Sequence, residues 1–362
     1  MSSPLVSTRI KRRPLLAAMA MTPFAVALTR IPGASAQEPV VVTMVTDTAG
    51  LGDQNFNDLA KRGLDQAVAE LGVQGEVIES RDASSYIENL RQAAEQSNLT
   101  VGVGFLLTEA VTEVANQFPD ENFLLIDSVS EAPNVQGVLF REQEGAFLSG
   151  VLAGLMTESN QLGVVAGQKI PPVVRYVVGF EAGAKSVNPD VAVVVAYADT
   201  FGDPALGKEL TLAQYNQGVD IAFPVAGATG IGSFEAAKEL GEGYWVIAAD
   251  TDQSQLGAEH QLAVSEKGVD TALFLAAQQV VDGTFAGGEQ SLGLTEDGVG
   301  LGSVHESVPQ EVLDIVAAYE QAITDGTLMV PADEEQLAAF EPVAPDALAA
   351  GGGATPAATP AA

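Results

Sequence analysis

Short apolar runs alternate with helical patterns along most of the chain. The run VVVTMVT at 40–46 has the length and β-branched content of a buried strand. After Asn55 the apolar positions Ala60, Leu64, Ala67, Val68 and Leu71 recur at helical spacing. The alternation continues through GEVIES (75–80), a helix near 84–97, VGVGFLL (101–107), a helix near 108–118 and FLLID (123–127). It resumes with LGVVAG (162–167), AVVVAY (192–197), IAFPVA (221–226) and YWVIAAD (244–250), with helical segments between them. Strands that are apolar throughout predict parallel sheets covered by helices on both faces.

So many units exceed one ordinary open sheet, and two doubly wound sheets, each with its own helices, are expected. The segment GVLFREQEGAFLSGVLAGL (137–155) carries the first crossing: a strand ends near Arg141 and a helix of small residues begins. A closed eight-unit barrel is the competing arrangement. In open α/β sheets ligands collect at the carboxyl ends of strands, so residues just after strands are the candidates for chemistry.

The ends of the chain change the picture. Residues 1–36 carry Arg9, Lys11, Arg12, Arg13 and Arg30 with no acid, then an Ala-rich apolar stretch, then Ala34-Ser35-Ala36. This is the layout of a cleaved secretory signal, with cleavage near Ala36. Arg30 interrupts the apolar run short of the roughly 20 residues a spanning helix needs. Arg12-Arg13-Pro14-Leu15-Leu16 also resembles a twin-arginine export signal, and the sequence leaves the two export routes open. There is no cysteine, which excludes disulfides, a thiolate nucleophile, Cys-ligated zinc and an acylated lipoprotein N-terminus. The formal net charge is −32, and loss of the basic leader leaves the remainder more negative still. Such a surface repels nucleic acid, anionic lipid and phosphorylated metabolites and suits a neutral or cationic small ligand. The glycines at 351–353 and the ATPAATPAA that follows are too poor in large apolar groups to pack.

After the first strand come Asp47, Gly50, Gly52, Asp53, Asn55, Phe56 and Asn57; the glycines permit a tight loop and Asn55 can cap the next helix. Phe56 is either a staple on its own helix or a ring offered to a cleft. Asp127, after FLLI, is either a loop cap or a ligand acceptor. Phe180 lies in a helical stretch from which it can face the same cleft. Ala226-Gly227-Ala228-Thr229-Gly230 follows a strand and opens a helix, but lacks the Lys-Ser/Thr of a phosphate-binding loop. Asp250 ends another strand, and Lys267 is the last basic residue in the chain. That lysine is either a surface ion-pair partner or a donor to a ligand hydroxyl.

The ordered set DTAGLGDQNFND, GFLLTEAVTEVANQFPDENFLLID, VVGFEAGAKSVNPDV, AGATGIG, IAADTDQ and SEKGVD resembles the basic membrane protein family of ABC-importer substrate-binding proteins, whose best-understood members are purine nucleoside receptors. The likeness runs over about residues 40–330. It implies the type I periplasmic-binding-protein fold: two α/β lobes joined by three crossover strands, each lobe discontinuous. On that pattern the N-terminal lobe takes 37–141 and 255–290, the C-terminal lobe 142–254 and 291–340, and 341–362 is a disordered tail. The resemblance implies that Phe56 and Phe180 sandwich the base, that Asp127 takes base-edge donors, and that Asp250 and Lys267 hold the ribose hydroxyls. Asp47, Asn57 and Gly227 match further lining positions. It further implies an exported monomer with no cofactor, whose partners are a nucleoside and an ABC permease, and which meets the membrane only through that permease. The family also takes other flat heterocycles, so riboflavin or a free nucleobase is the alternative ligand.

Two other classes compete on the sequence. Asp47, Thr48 and Asp53 superficially resemble the calcium loop of nucleoside hydrolases, but glycines spread the acids, and neither His260 nor His305 sits in a base-plus-acid constellation. A regulator on the same fold would carry a DNA-binding helix-turn-helix where this chain carries an export signal. An exported receptor presenting its ligand to a signalling partner is the third possibility.

Overall fold

The computed structural model describes residues 39–349. In chain order the strands are β1 (Val41–Val45), β2 (Gln74–Ile78), β3 (Leu99–Gly102), β4 (Asn122–Ile126), β5 (Val135–Phe140), β6 (Gln161–Ala166), β7 (Ala192–Tyr197), β8 (Ile221–Val225), β9 (Trp245–Asp250), β10 (Gln261–Lys267), β11 (Gly288–Leu292) and β12 (Val299–Leu301). They form two open six-stranded sheets, ordered β2-β1-β3-β4-β5-β11 and β7-β6-β8-β9-β10-β12. Every pairing in the first is parallel, and in the second only β12 runs antiparallel. Central strands are buried, whereas the edges β2 and β11 carry Gln, Glu and Ser and face solvent, which blunts them against pairing with other chains. Two open sheets replace the barrel alternative.

The chain passes between lobes three times: after β5, after β10 and after β11. The return to the first lobe comes later than the expected 255. Gln261–Lys267 is a strand of the second sheet, paired with β9, and the crossing falls at Gly268. The helix Val269–Val281 then packs on the helix Phe56–Leu71, where a methyl on Gly63 would stand 2.3 Å from the Asp270 carbonyl oxygen. The first helix buries Leu59, Ala60, Leu64 and Ala67 and stops at Gly72, whose φ of 70° is the left-handed stop that glycine accepts without strain.

In the second lobe the helices Glu142–Met156 and Pro171–Val187 meet backbone to backbone. A methyl on Gly150 would lie 2.1 Å from the Phe180 carbonyl oxygen, and one on Gly183 2.0 Å from that of Phe147. The small-residue pattern in both helices is therefore a packing surface. Residues 341–349, expected in the disordered tail, extend the fold instead: Tyr319 donates to the Val343 carbonyl at 2.5 Å, and Pro345–Ala349 forms a short helix. The signal segment, its cleavage position and residues 350–362 lie outside the described residues.

Candidate functional site

The loop after β1 is built around two carboxylates. Asp53, rather than the expected Asn55, caps the helix that follows: its oxygens accept from the backbone N–H groups of Asn55 (3.0 Å), Asn57 (2.8 Å) and Asp58 (3.1 Å). Asn55 makes no side-chain cap bond. Asn57 Nδ2 donates to Asp47 Oδ1 at 2.9 Å and to Asp53 Oδ2 at 3.1 Å. Burial pushes the Asp47 carboxyl up to about 6 against the hydrogen bond from Asn57, and it raises Asp53 as well. Phe56, the first residue of the helix, is half-buried and borders the cavity described below.

The expected strand at 101–107 ends early. β3 stops at Gly102, Gly104 has a φ of 109°, and Phe105–Leu107 forms a short 3-10 turn. A side chain at Gly104 would sit 3.2 Å from Phe56 Cε1 and 3.7 Å from Asp47 Oδ2, so the turn brings backbone against the rim of that ring.

Asp127 follows β4 and Asp250 ends β9, matching positions in the two sheet orders. Both hold left-handed backbone, φ 68° and 62°, which Asp tolerates better than most side chains. Lys267, the last residue of β10, places Nζ 2.7 Å from Asp127 Oδ1 and 2.9 Å from Glu142 Oε1. Glu142 in turn meets Arg175 Nε at 2.5 Å, and the Tyr176 hydroxyl donates to Asp250 at 2.5 Å. The ammonium also lies 5.1 Å from the Phe56 ring centroid and 5.0 Å from that of Phe140. Burial alone would lower the Lys267 pKa; Asp127, Glu142 and Asp250 reverse that and raise it, so the lysine stays charged. Burial raises Asp127 and Asp250 despite the lysine. Lys267 is thus a buried rather than a surface ion-pair partner, and it borders the cleft.

Between the carboxyl ends of the two sheets lies a cavity of about 590 Å³, counting the space at its mouth. Asp47, Phe56, Asn57, Asp127, Gly227, Asp250 and Lys267 all line it. Phe180 does not. It is fully buried and packs on Phe223 with ring centroids 5.0 Å apart, because its helix turns that face toward the lobe's own sheet. The second lobe offers Tyr176, one turn earlier on the same helix, and Phe201, in the loop after β7. Phe201 rests over Gly167, where a methyl would come 2.2 Å from its Cε1. Asp53, Gly104 to Leu106, Tyr176 and Phe201 are lining residues that the sequence reading did not place in the site. Phe201 had a usable signal, since it follows AVVVAY as Phe56 follows the first strand.

Contacts across the cleft draw the lobes together. Gln253 Nε2 donates to the Gln54 carbonyl at 3.0 Å and Arg62 Nη1 to Thr251 Oγ1 at 3.2 Å. Among the described residues no group of three or more His, Cys, Asp or Glu side chains is arranged to hold a metal ion.

Two open α/β lobes, three crossings and a polar, aromatic-lined cleft define the class of two-lobed solute-binding proteins. Residues 40–334 match the Bmp family, ABC transporter substrate-binding proteins described as PnrA-like, and the chain belongs to this family. Its members are binding proteins of ABC transporters rather than enzymes, which implies a small-molecule ligand and a cognate permease. Among relatives, the CD4+ T-cell-stimulating antigen of Listeria monocytogenes is 33% identical over 80% of this chain and 87% of its own length. The ABC transporter nucleoside-binding protein BmpA of Lactococcus lactis is 34% identical over 80% and 88%. A crystal structure of an ABC transporter solute-binding protein from Aeropyrum pernix superposes with a TM-score of 0.77 at 30% identity, covering 87% of this chain and 98% of that one. Relatives include a lipoprotein of Pyrococcus horikoshii, 35% identical over 76% of each chain. Among the described residues no helix is long and apolar enough to cross a membrane.

Proposed function

We propose that the protein is an exported receptor that takes a nucleoside into the interlobe cleft and hands it to its permease. The observation that carries this reading is that Phe56 from one lobe and Phe201 from the other line the same cleft, together with polar side chains from both lobes. Stacking on an aromatic face is worth about 1–3 kcal/mol per base. At one end Lys267 donates while Asp127 and Asp250 accept, the combination a ribose hydroxyl needs as donor and acceptor at once. Asp127 therefore joins the sugar end instead of the base edge. At the other end Asp47 and Asn57 face the base. Groups from both lobes contact the ligand only when the cleft is closed, so the ligand shifts the population toward closure.

The leader ends near Ala36, the released protein is a monomer without affinity for nucleic acid, and it meets the membrane through the permease. The relative named as nucleoside-binding supports the ligand class. The test is the mass of whatever small molecule leaves the purified protein on denaturation, followed by calorimetry with nucleosides, free bases, sugars and riboflavin. Binding of riboflavin or a free base without nucleoside binding would move the ligand assignment; release of free base from inosine would overturn the receptor reading.

A further inference from the structure

The base end of the cleft has a fixed hydrogen-bonding sense. Asn57 is buried, and its amide nitrogen lies within 3.1 Å of two carboxylates, Asp47 and Asp53. The reverse orientation would set an amide oxygen against both carboxylates, so the electrostatics alone choose which way the amide points. Asn57 Oδ1 is then left buried with no hydrogen-bond partner. Such an acceptor is costly unless a ligand fills it. Asp47 stands beside it: Oδ1 accepts from Asn57 and from the Ala49 N–H, both at 2.9 Å, and Oδ2 is the second acceptor. Oδ2 and the Phe56 ring edge both approach the point where a Gly104 side chain would stand, so a base stacked on Phe56 brings its edge to Asp47.

Resting on the nucleoside reading above, we infer that Asp53 is a positioning residue for ligand choice: by holding the Asn57 amide nitrogen it leaves Asn57 and Asp47 presenting an adjacent pair of acceptors, which favours a base with two adjacent N–H donors, as in guanosine. Guanine presents its ring N1–H beside its 2-amino group. Hypoxanthine presents the N1–H alone. Adenine presents a bare N1 acceptor beside its amino group, and that acceptor would face an oxygen. Asp53 is itself held by three backbone N–H groups, so the amide orientation is set before a ligand arrives.

The experiment is calorimetry on the full-length mature protein with guanosine, inosine, adenosine and 1-methylguanosine, repeated on Asp53→Asn. Wild type should bind guanosine about tenfold or more tighter than adenosine, with inosine between, and lose about tenfold on methylation of N1. In Asp53→Asn, whose fold is checked by thermal unfolding, the guanosine-to-adenosine ratio should collapse toward one, whereas a purely structural role would weaken both ligands equally. If that variant does not fold, the wild-type series decides alone. Equal affinity for adenosine and guanosine, or an unchanged ratio in folded Asp53→Asn, overturns this inference and leaves the nucleoside reading standing. Binding of none of the four overturns both.

Discussion

Replacing Phe180 and Phe201 separately by Ala distinguishes a cleft ring from a core ring. Phe180 is fully buried against Phe223 and beneath the Glu142–Met156 helix, so its truncation should cost about 3–5 kcal/mol of stability. Phe201 is half-buried over Gly167 and Gly227, and its loss should cost far less stability. Its loss removes one stacking face, about 1–3 kcal/mol of binding, which corresponds to a dissociation constant roughly 5- to 150-fold weaker. Thermal unfolding and calorimetry with the tightest-binding nucleoside would be run on both variants below the melting temperature of the weaker one. Phe180→Ala should melt well below wild type yet bind with near wild-type affinity; Phe201→Ala should do the reverse. A folded Phe180→Ala that loses affinity, beside a Phe201→Ala that keeps it, would refute the reassignment of the second aromatic.

Further outcomes follow from the same geometry. Because Asp47 binds ligand donors as a carboxylate and titrates at about 6, affinity should be flat above that pH and weaken toward tenfold per unit below it, measured by calorimetry from pH 4.5 to 8. The sign reverses for stability. A folded-state pKa raised from 3.8 means a contribution present below 3.8 and lost as pH rises through about 6. Asp47→Asn should therefore stabilise the empty protein at pH 7 by on the order of 3 kcal/mol, read by denaturant unfolding, while weakening binding. Lys267→Met strands Asp127 and Glu142 in the interior and should cost about 3–5 kcal/mol by denaturant unfolding. Gly167→Ala should displace the Phe201 ring and weaken nucleoside binding while the circular dichroism spectrum holds.

Much of the fold was legible because buried parallel strands write themselves as unbroken apolar runs, and residues after those runs, such as Asp47, Phe56, Asp127 and Asp250, do reach the cavity. Phe180 misled for a physical reason. Helical periodicity says that Val177, Phe180 and Ala184 share a stripe, but not whether the stripe faces a cleft or the lobe's own sheet. Here the ring packs on Phe223 of β8, while Gly179 and Gly183 beside it mark the seam with the Glu142–Met156 helix. The late crossing was hidden because β10, QLAVSEK, is less apolar than β8 and β9, and only its pairing with β9 shows which sheet it joins. The role of Asp53 was hidden too: apart from the Asn57 amide its partners are backbone N–H groups, which leave no mark in side-chain identity.

The three crossings bear on how the chain comes into being. The first lobe gains its last strand from residues 288–292, after β6 to β10 of the second lobe have been laid down. Neither lobe is a contiguous segment, so neither can finish by itself as the chain emerges, and many contacts join residues far apart in sequence. Slow folding and few early native fragments are expected of such a topology. The cleft shares this timing: Asp127 gains its buried cation only once Lys267 arrives, 140 positions later. A truncated or stalled chain would hold the binding aspartates without their counter-charge, so a receptor able to bind exists only when the whole body has closed on itself.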